Sequence, residues 1–239
     1  KAGGRVIVEC PAKLAALLRT APGVDQVIPS GTGRPPFDCH APLGSLPRLC
    51  RTRLDHVPAR VPYLRVEPDR RAAWGEKLRQ FGRPRVGLVW RGNPQHAEDQ
   101  RRSIDFPFLE PLGAVAGPVW FALDCRARPG PLGGAPVIGL GPETADFRDA
   151  AAAIEQMDLV ISVDTALAHL AGALGRPVWL LAPYVPDWRW LTGREDSPWY
   201  PTLRLFRQRE PGGWAGVVAR VAASAREEFS KGAGEYRYA

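Results

Sequence analysis

"DLVISVDTALAHLAGALGRPVWLLAP", residues 158–183, decides how the rest of the chain reads. An apolar run, Leu159 to Val163, stops at the polar pair Asp164 and Thr165. It passes into a small-residue segment with a single histidine, His169, and returns as a second apolar run, Val178 to Ala182. Strands that are apolar throughout, rather than alternately, are what a parallel sheet covered on both faces requires. The segment between them reads as a crossover helix that stops at Gly175 and then Pro177. Asp164 is placed to cap that helix, leaving the N–H groups of Thr165, Ala166 and Leu167 to face whatever lies above the strand end, while Thr165 and His169 share a face one turn apart. Ala166, Ala168, Ala171 and Gly172 are small enough to let the helix lie close to the sheet. A helix N-terminus at the carboxyl end of parallel strands offers free donors and partial positive charge, which suits a pyrophosphate. Taken alone, the same residues fit a mere cap and a satisfied core histidine equally well.

Outward from this unit the pattern repeats. From Arg83 the apolar runs "RVGLVW", "PVWFAL", "PVIGL" and, late, "TLRLF" alternate with segments predicted as helices, "FPFLEPLGAVAG" and "ADFRDAAAAIEQM". The final "GGWAGVVARVAASAREEF" predicts an amphipathic helix able to pack back across the first part of the chain. That first part opens as β-α-β, with "RVIVEC", "AKLAALLRTAPG" and "VDQVI". Residues 29–68 are rich in Pro, Gly and Arg and predict irregular structure and a linker. The expected division is an N-terminal α/β remainder over 1–68 and a Rossmann-like unit over 69–239.

Two further stretches carry chemistry. "WRGNPQHAEDQRRSIDF", residues 90–106, is a long polar loop after a strand, and such loops in compact domains are more often functional than idle. Within it Arg101, Arg102 and Ser103 lie just ahead of a predicted helix, where a guanidinium and a hydroxyl can complete a phosphate cradle, and Asn93 is a further candidate to bind the donor. A solvated charged loop is the bland alternative. "YVPDWRWLTGREDSPWYPTLRLF", residues 184–206, sets aromatics among charges, and Asp187 and Trp188 are candidates to line a pocket. The competing reading is that these aromatics hold a long loop against the domain.

Composition bounds the function. With 239 residues, 45% hydrophobic and 24% charged, the chain can bury a real core. The longest apolar runs are too short to cross a membrane, and residues 1–11 lack a signal-peptide pattern. Cys10, Cys39, Cys50 and Cys125 form no C-x-x-C pair, which argues against a zinc knuckle or a disulfide framework and fits a reducing cytoplasm. The net charge of +7 favours an anionic partner, but the arginines form no basic block interleaved with aromatics, so a nucleic-acid groove is not expected. No G-x-G-x-x-G follows any predicted strand, and "GLGPET" lacks the spacing, which disfavours a nicotinamide cofactor. Lys1 opens the chain and Met157 is its single methionine, so the natural start is expected upstream.

Taken together, "DLVISVDTALAHLAGALGRPVWLL", "WRGNPQHAEDQRRSI" and "PDWRWLTGREDSPWYPTLRLFRQ" resemble the bacterial glycosyltransferases of family 9, the heptosyltransferase-like family, and in particular its branch fused to tetratricopeptide repeats. The resemblance implies a GT-B fold, with a nucleotide-sugar donor held by the second domain and an acceptor by the first. It implies an inverting, metal-independent transfer with no cofactor beyond the sugar nucleotide, in keeping with the lack of an Asp-x-Asp motif. The acceptor would be a lipopolysaccharide-type glycan or a protein hydroxyl. The location would be cytoplasmic, with peripheral contact to the inner membrane left open. On this resemblance Asp164 and His169 would contact donor phosphate and sugar, the amides of Thr165 to Leu167 would hold the pyrophosphate, and Arg102 would neutralise it.

The sequence departs from the family at Ala150, where relatives usually carry a threonine, and at Asp124, where they usually carry glutamine. Asp124 is nevertheless a candidate for the donor pocket. The family's catalytic carboxylate lies in a glycine-rich loop that would precede Lys1. Glu9 and Asp38 are poorer candidates, better explained as ordinary strand-end or surface carboxylates. The alternative from another class is a non-catalytic nucleotide-sugar-binding or scaffold module.

Overall fold

The computed structural model of the chain describes residues 3–124, 126 and 128–230. The N-terminal unit pairs β1 (Ile7–Cys10) with β2 (Gln26–Pro29) in parallel across α1 (Ala12–Leu18). A connector follows, mostly exposed and containing only the one-turn α2 (Leu46–Leu49) and two short 3-10 turns. It ends at α3 (Pro68–Leu78), whose first turn places Pro68 where its missing N–H costs nothing.

The second unit is a parallel six-stranded sheet. Its elements are β3 (Arg85–Val89), the one-turn α4 (Asp99–Arg102), β4 (Val119–Ala122), β5 (Val137–Gly139), α5 (Phe147–Glu155), β6 (Leu159–Val163), α6 (Ala166–Ala173), β7 (Val178–Ala182), β8 (Leu203–Arg207) and α7 (Trp214–Ser230). The spatial order is β5-β4-β3-β6-β7-β8. Successive strands step outward one way from β3, and then the chain returns to start again beside it at β6. That is the doubly wound order, with its reversal between β3 and β6.

Every residue of β3, β6 and β7 is buried, as continuous apolar runs predict. The two-residue alternation of strands divides them between two layers. Val160, Leu180 and Leu205 face a layer built with Trp74 of α3, Ala151 to Ile154 of α5 and Ala168 and Ala171 of α6. Leu88, Ile161 and Trp179 face the other, built with Leu109 and Leu112 and with Val217, Val218 and Val221 of α7. The terminal helix therefore packs on this sheet and on residues 106–114, not back across the first unit. Its apolar stripe fits the open face of the sheet, the one that α3, α5 and α6 leave uncovered.

Residues 106–114 are also not the α-helix that their sequence suggests. They form a 3-10 helix, because Pro111 has no N–H for a bond four residues back and its ring would strike that carbonyl. The first unit is joined to the second through a shared core. Leu17 of α1 and Leu64 and Val66 of the connector pack in the layer of α5, and the Tyr63 and Leu64 N–H groups both donate to the Ala173 carbonyl at the end of α6.

Candidate functional site

The reversal between β3 and β6 opens a crevice at the carboxyl edge of the sheet, where two neighbouring strands send their loops apart. Val89 pairs with Ser162, so the loop beginning at Trp90 and the turn at Asp164 leave the sheet side by side. The 90–103 loop and the 164–169 turn thereby start from neighbouring strand ends.

On the β6 side, Asp164 and Thr165 are 9% and 8% exposed. Asp164 is not the cap. Thr165 occupies the N-cap position with extended backbone, and its carbonyl takes the first intrahelical bonds, from Ala168 N–H (3.1 Å) and His169 N–H (3.3 Å). The Thr165 hydroxyl makes no capping bond and lies 3.2 Å from the Ser162 hydroxyl instead. Of the three amides expected to face a ligand, those of Ala166 and Leu167 belong to the uncapped first turn, whereas Thr165 stands one position outside it. Asp164, held beside that turn, supplies the negative charge that a helix N-terminus favours.

His169 sits over this turn in an aromatic frame. Its Nε2 is 3.8 Å from Asp164 Oδ1, its Nδ1 is 3.0 Å from the Tyr200 hydroxyl, and its ring stacks on Trp190 at 5.0 Å and 18°. Burial lowers its pKa below 6.5 and Arg189 adds to the effect, outweighing the opposite pull of Asp164 and Asp187, so the imidazole is neutral near pH 7. About a third of the side chain is nonetheless exposed. Burial pushes the Tyr200 phenol strongly upward, with the neighbouring Tyr63 adding to it.

Trp190 and Tyr200 stand among the aromatics of the 184–206 stretch but were not chosen as site residues, because 21 and 31 positions separate them from His169 and no spacing rule links them. One local signal did exist. Gly172 lies within α6 three residues from His169, and a β-carbon there would lie 2.6 Å from the Tyr200 ring. A glycine inside a helix often marks such a close approach.

On the β3 side, Arg102 and Asp99 form a pair at 3.3 Å, with side chains 16% and 14% exposed, laid against the backbone of Gly92. A β-carbon at Gly92 would come within 2.2 Å of Asp99 Oδ1 and 2.9 Å of Arg102 Nε, so this residue must be glycine for the pair to sit there. The Ser103 hydroxyl accepts from Gly92 N–H (2.9 Å), which locks both ends of the loop together. Asn93 is exposed and its side-chain oxygen accepts from Gln95 N–H (3.2 Å), so its geometry is that of a turn former.

Asp124, one strand further out, accepts from the Arg126 N–H (3.0 Å) and its guanidinium (3.2 Å), and Arg126 also donates to the Gly92 carbonyl (2.8 Å). Asp124 thus braces the 90–103 loop through Arg126.

Past β7, Asp187 caps the 3-10 turn Trp188–Trp190 and accepts from Arg189 N–H (3.0 Å) and its guanidinium (2.8 Å). Burial alone would raise the Asp187 carboxyl, but the bonds from Arg189 outweigh it and hold it below its ordinary value. Trp188 is 63% exposed and packs on Arg189 and Trp199, while the buried Trp190 reaches His169. Glu9 is tied to Arg34 at 2.7 Å, and Asp38 lies on the exposed connector. No group of three or more His, Cys, Asp or Glu side chains among the described residues is arranged to hold a metal ion. None of the described helices is long and apolar enough to cross a membrane.

One of the comparisons with known proteins falls on the β6 side of this region. Residues 134–185, which run from just before β5 to just past β7 and include Asp164 to His169, match Glycosyltransferase family 9 (heptosyltransferase). Protein FlbA of Caulobacter vibrioides is 34% identical over 203 residues, which is 80% of this chain and 33% of FlbA, so the chain spans a third of that relative's length. Among solved structures, the E. coli ADP-heptose lps heptosyltransferase II superposes with a TM-score of 0.55 at 14% identity, over 94% of this chain and 91% of that one. The fold is accordingly α/β of the GT-B type, and the similarity to family 9 lies in the stretch that builds the β6 side of the crevice.

Proposed function

We propose that the chain is the donor half of a glycosyltransferase that moves a sugar from a nucleotide-diphosphate donor to a hydroxyl on a lipopolysaccharide-type glycan or a protein. The observation that carries this reading is the strand reversal, from which the uncapped first turn of α6 and the loop that holds Arg102 leave neighbouring strand ends. A diphosphate placed there meets the Ala166 and Leu167 amides on one side and a guanidinium on the other. Asp164 would repel phosphate, so its natural partners are sugar hydroxyls. Neutral His169 contributes a hydrogen bond.

As the glycosidic bond breaks, negative charge grows on the departing nucleoside diphosphate, and fixed donors and a cation aimed at it stabilise the transition state. The reading includes an inverting transfer that relies on these groups rather than on a metal. A protein acceptor goes with tetratricopeptide repeats elsewhere in the longer protein.

One observation favours the non-catalytic alternative: Asp124 and Arg126 are closed on each other and on the Gly92 carbonyl, which braces the loop rather than leaving it free to shut over a donor.

Calorimetric titration with ADP-, UDP-, GDP- and CMP-linked sugars tests the proposal. One nucleotide class is expected to bind, with Asp164→Ala and Arg102→Ala each weakening it roughly tenfold or more, the size expected when a charge-assisted bond is lost. A folded chain that binds none of the four overturns it. Binding without sugar transfer or hydrolysis in the full-length protein favours the non-catalytic module.

A further inference from the structure

Tyr200 contacts no part of the crevice directly, yet it is bonded to the one imidazole that does. Its hydroxyl lies 3.0 Å from His169 Nδ1, and the opposite nitrogen, Nε2, lies 3.8 Å from Asp164 Oδ1. A neutral imidazole carries one proton, and its location decides what the ring can do.

Two features place it on Nε2. A carboxylate beside Nε2 favours the tautomer that turns N–H, not a lone pair, toward it. At the other nitrogen, Tyr200 is a neutral phenol whose ring is held fast over Gly172, with the Tyr63 hydroxyl beside it. Tyr63 stands on the connector, fixed by its own N–H to the Ala173 carbonyl at 3.0 Å, and its hydroxyl is the other acceptor facing the Tyr200 proton; the imidazole nitrogen, the stronger base, takes it.

We infer that Tyr200 is a positioning residue that donates to Nδ1 of His169 and holds it in the Nε2–H form, so that the crevice meets a hydrogen-bond donor. On the donor-site reading above, that N–H lies beside Asp164 and suits a sugar hydroxyl rather than a phosphate oxygen, and His169 is not a base for the acceptor. The bonds run from Tyr200 to His169 Nδ1 and from His169 Nε2 toward Asp164. The charged and titratable groups that face His169 are Asp164 at the end of β6, Asp187 and Arg189 past β7, and Tyr200 ahead of β8.

The test is heteronuclear NMR of the imidazole nitrogens in the ligand-free chain, so its outcome does not depend on whether any sugar nucleotide binds. In the unmodified chain, Nε2 is expected to be the protonated nitrogen. Tyr200→Phe keeps the ring over Gly172 and removes the donor. The neutral imidazole then loses a stabilising bond, so its titration moves up by about half to one pH unit, the worth of one neutral hydrogen bond, and the Nδ1–H form gains population.

Were Tyr200 instead accepting from Nδ1–H, the same variant would move the titration down. A downward shift, no shift, or Nδ1–H as the resident form overturns the inference. If Tyr200→Phe fails to fold, the tautomer of the unmodified chain alone still decides it. Binding of a sugar nucleotide with the Nδ1–H form resident would overturn this inference and leave the donor-site reading intact.

Discussion

Residues 158–183 and residues 30–66 have similar numbers of apolar side chains to dispose of, 16 and 14, and handle them in opposite ways. The first stretch puts whole strands inside, so that Leu159, Val160 and Leu180 are fully buried. The second leaves Leu43, Leu49 and Leu54 at 66%, 64% and 58% exposure. The difference lies in backbone hydrogen bonding. A strand in the middle of a parallel sheet satisfies all its N–H and C=O groups with neighbours and can be buried on both faces. A segment interrupted by prolines has no such ladder, and its polar backbone keeps it near water. Burial in this chain follows from what the backbone can pair with, not from the count of apolar residues.

The contrast can be broken most severely in the sheet. Leu88→Ala is expected to cost about 2–5 kcal/mol, the lost transfer energy of the side chain plus an unfilled cavity, whereas Leu43→Ala and Leu49→Ala stay within about 0.5 kcal/mol. Denaturant unfolding of the three variants checks this, and equal losses would mean that the connector is as well packed as the sheet. A finer cut compares two glycines. Gly172→Ala sets a β-carbon against the Tyr200 ring and should cost about 1–3 kcal/mol as an overpacked site. Gly44→Ala, with nothing within 4 Å, should leave the melting temperature nearly unchanged.

The smallest effect is electrostatic. Burial holds His169 below its ordinary value of 6.5, so as the pH falls the unfolded chain takes up a proton before the folded one does. Stability is therefore full above about pH 6.5 and declines as the pH drops through the lower folded value. His169→Gln should flatten that decline in unfolding curves taken between about pH 7 and 5.

The same contrast explains what was legible beforehand. The parallel sheet could be read from β3, β6 and β7 because full burial writes an uninterrupted apolar run, and the end of β6 could be read from the polar break at Asp164. The identity of the helix cap could not, since Asp164 and Thr165 are equally suitable by type and only the backbone decides between them. Pro111 carries the information that residues 106–114 are a 3-10 helix, but an apolar periodicity masks it. Tyr200 and Trp190 became visible only through the fold, since they reach His169 through space from a loop far along the chain. The pairing of Asp124 with Arg126 is local, two residues apart, and was overshadowed by the expectation of a ligand.

The reversal of strand order has a consequence for how this protein can change. The walls of the crevice come from separate lengths of chain, residues 90–103 after β3 and residues 164–169 after β6, each braced by its own neighbours: Gly92, Ser103 and Arg126 on one side, Trp190 and Tyr200 on the other. No strand pairing has to be rebuilt when one wall is rewritten. Selection can therefore retune one wall, by insertion or substitution in the 90–103 loop, while the 158–183 unit is inherited intact.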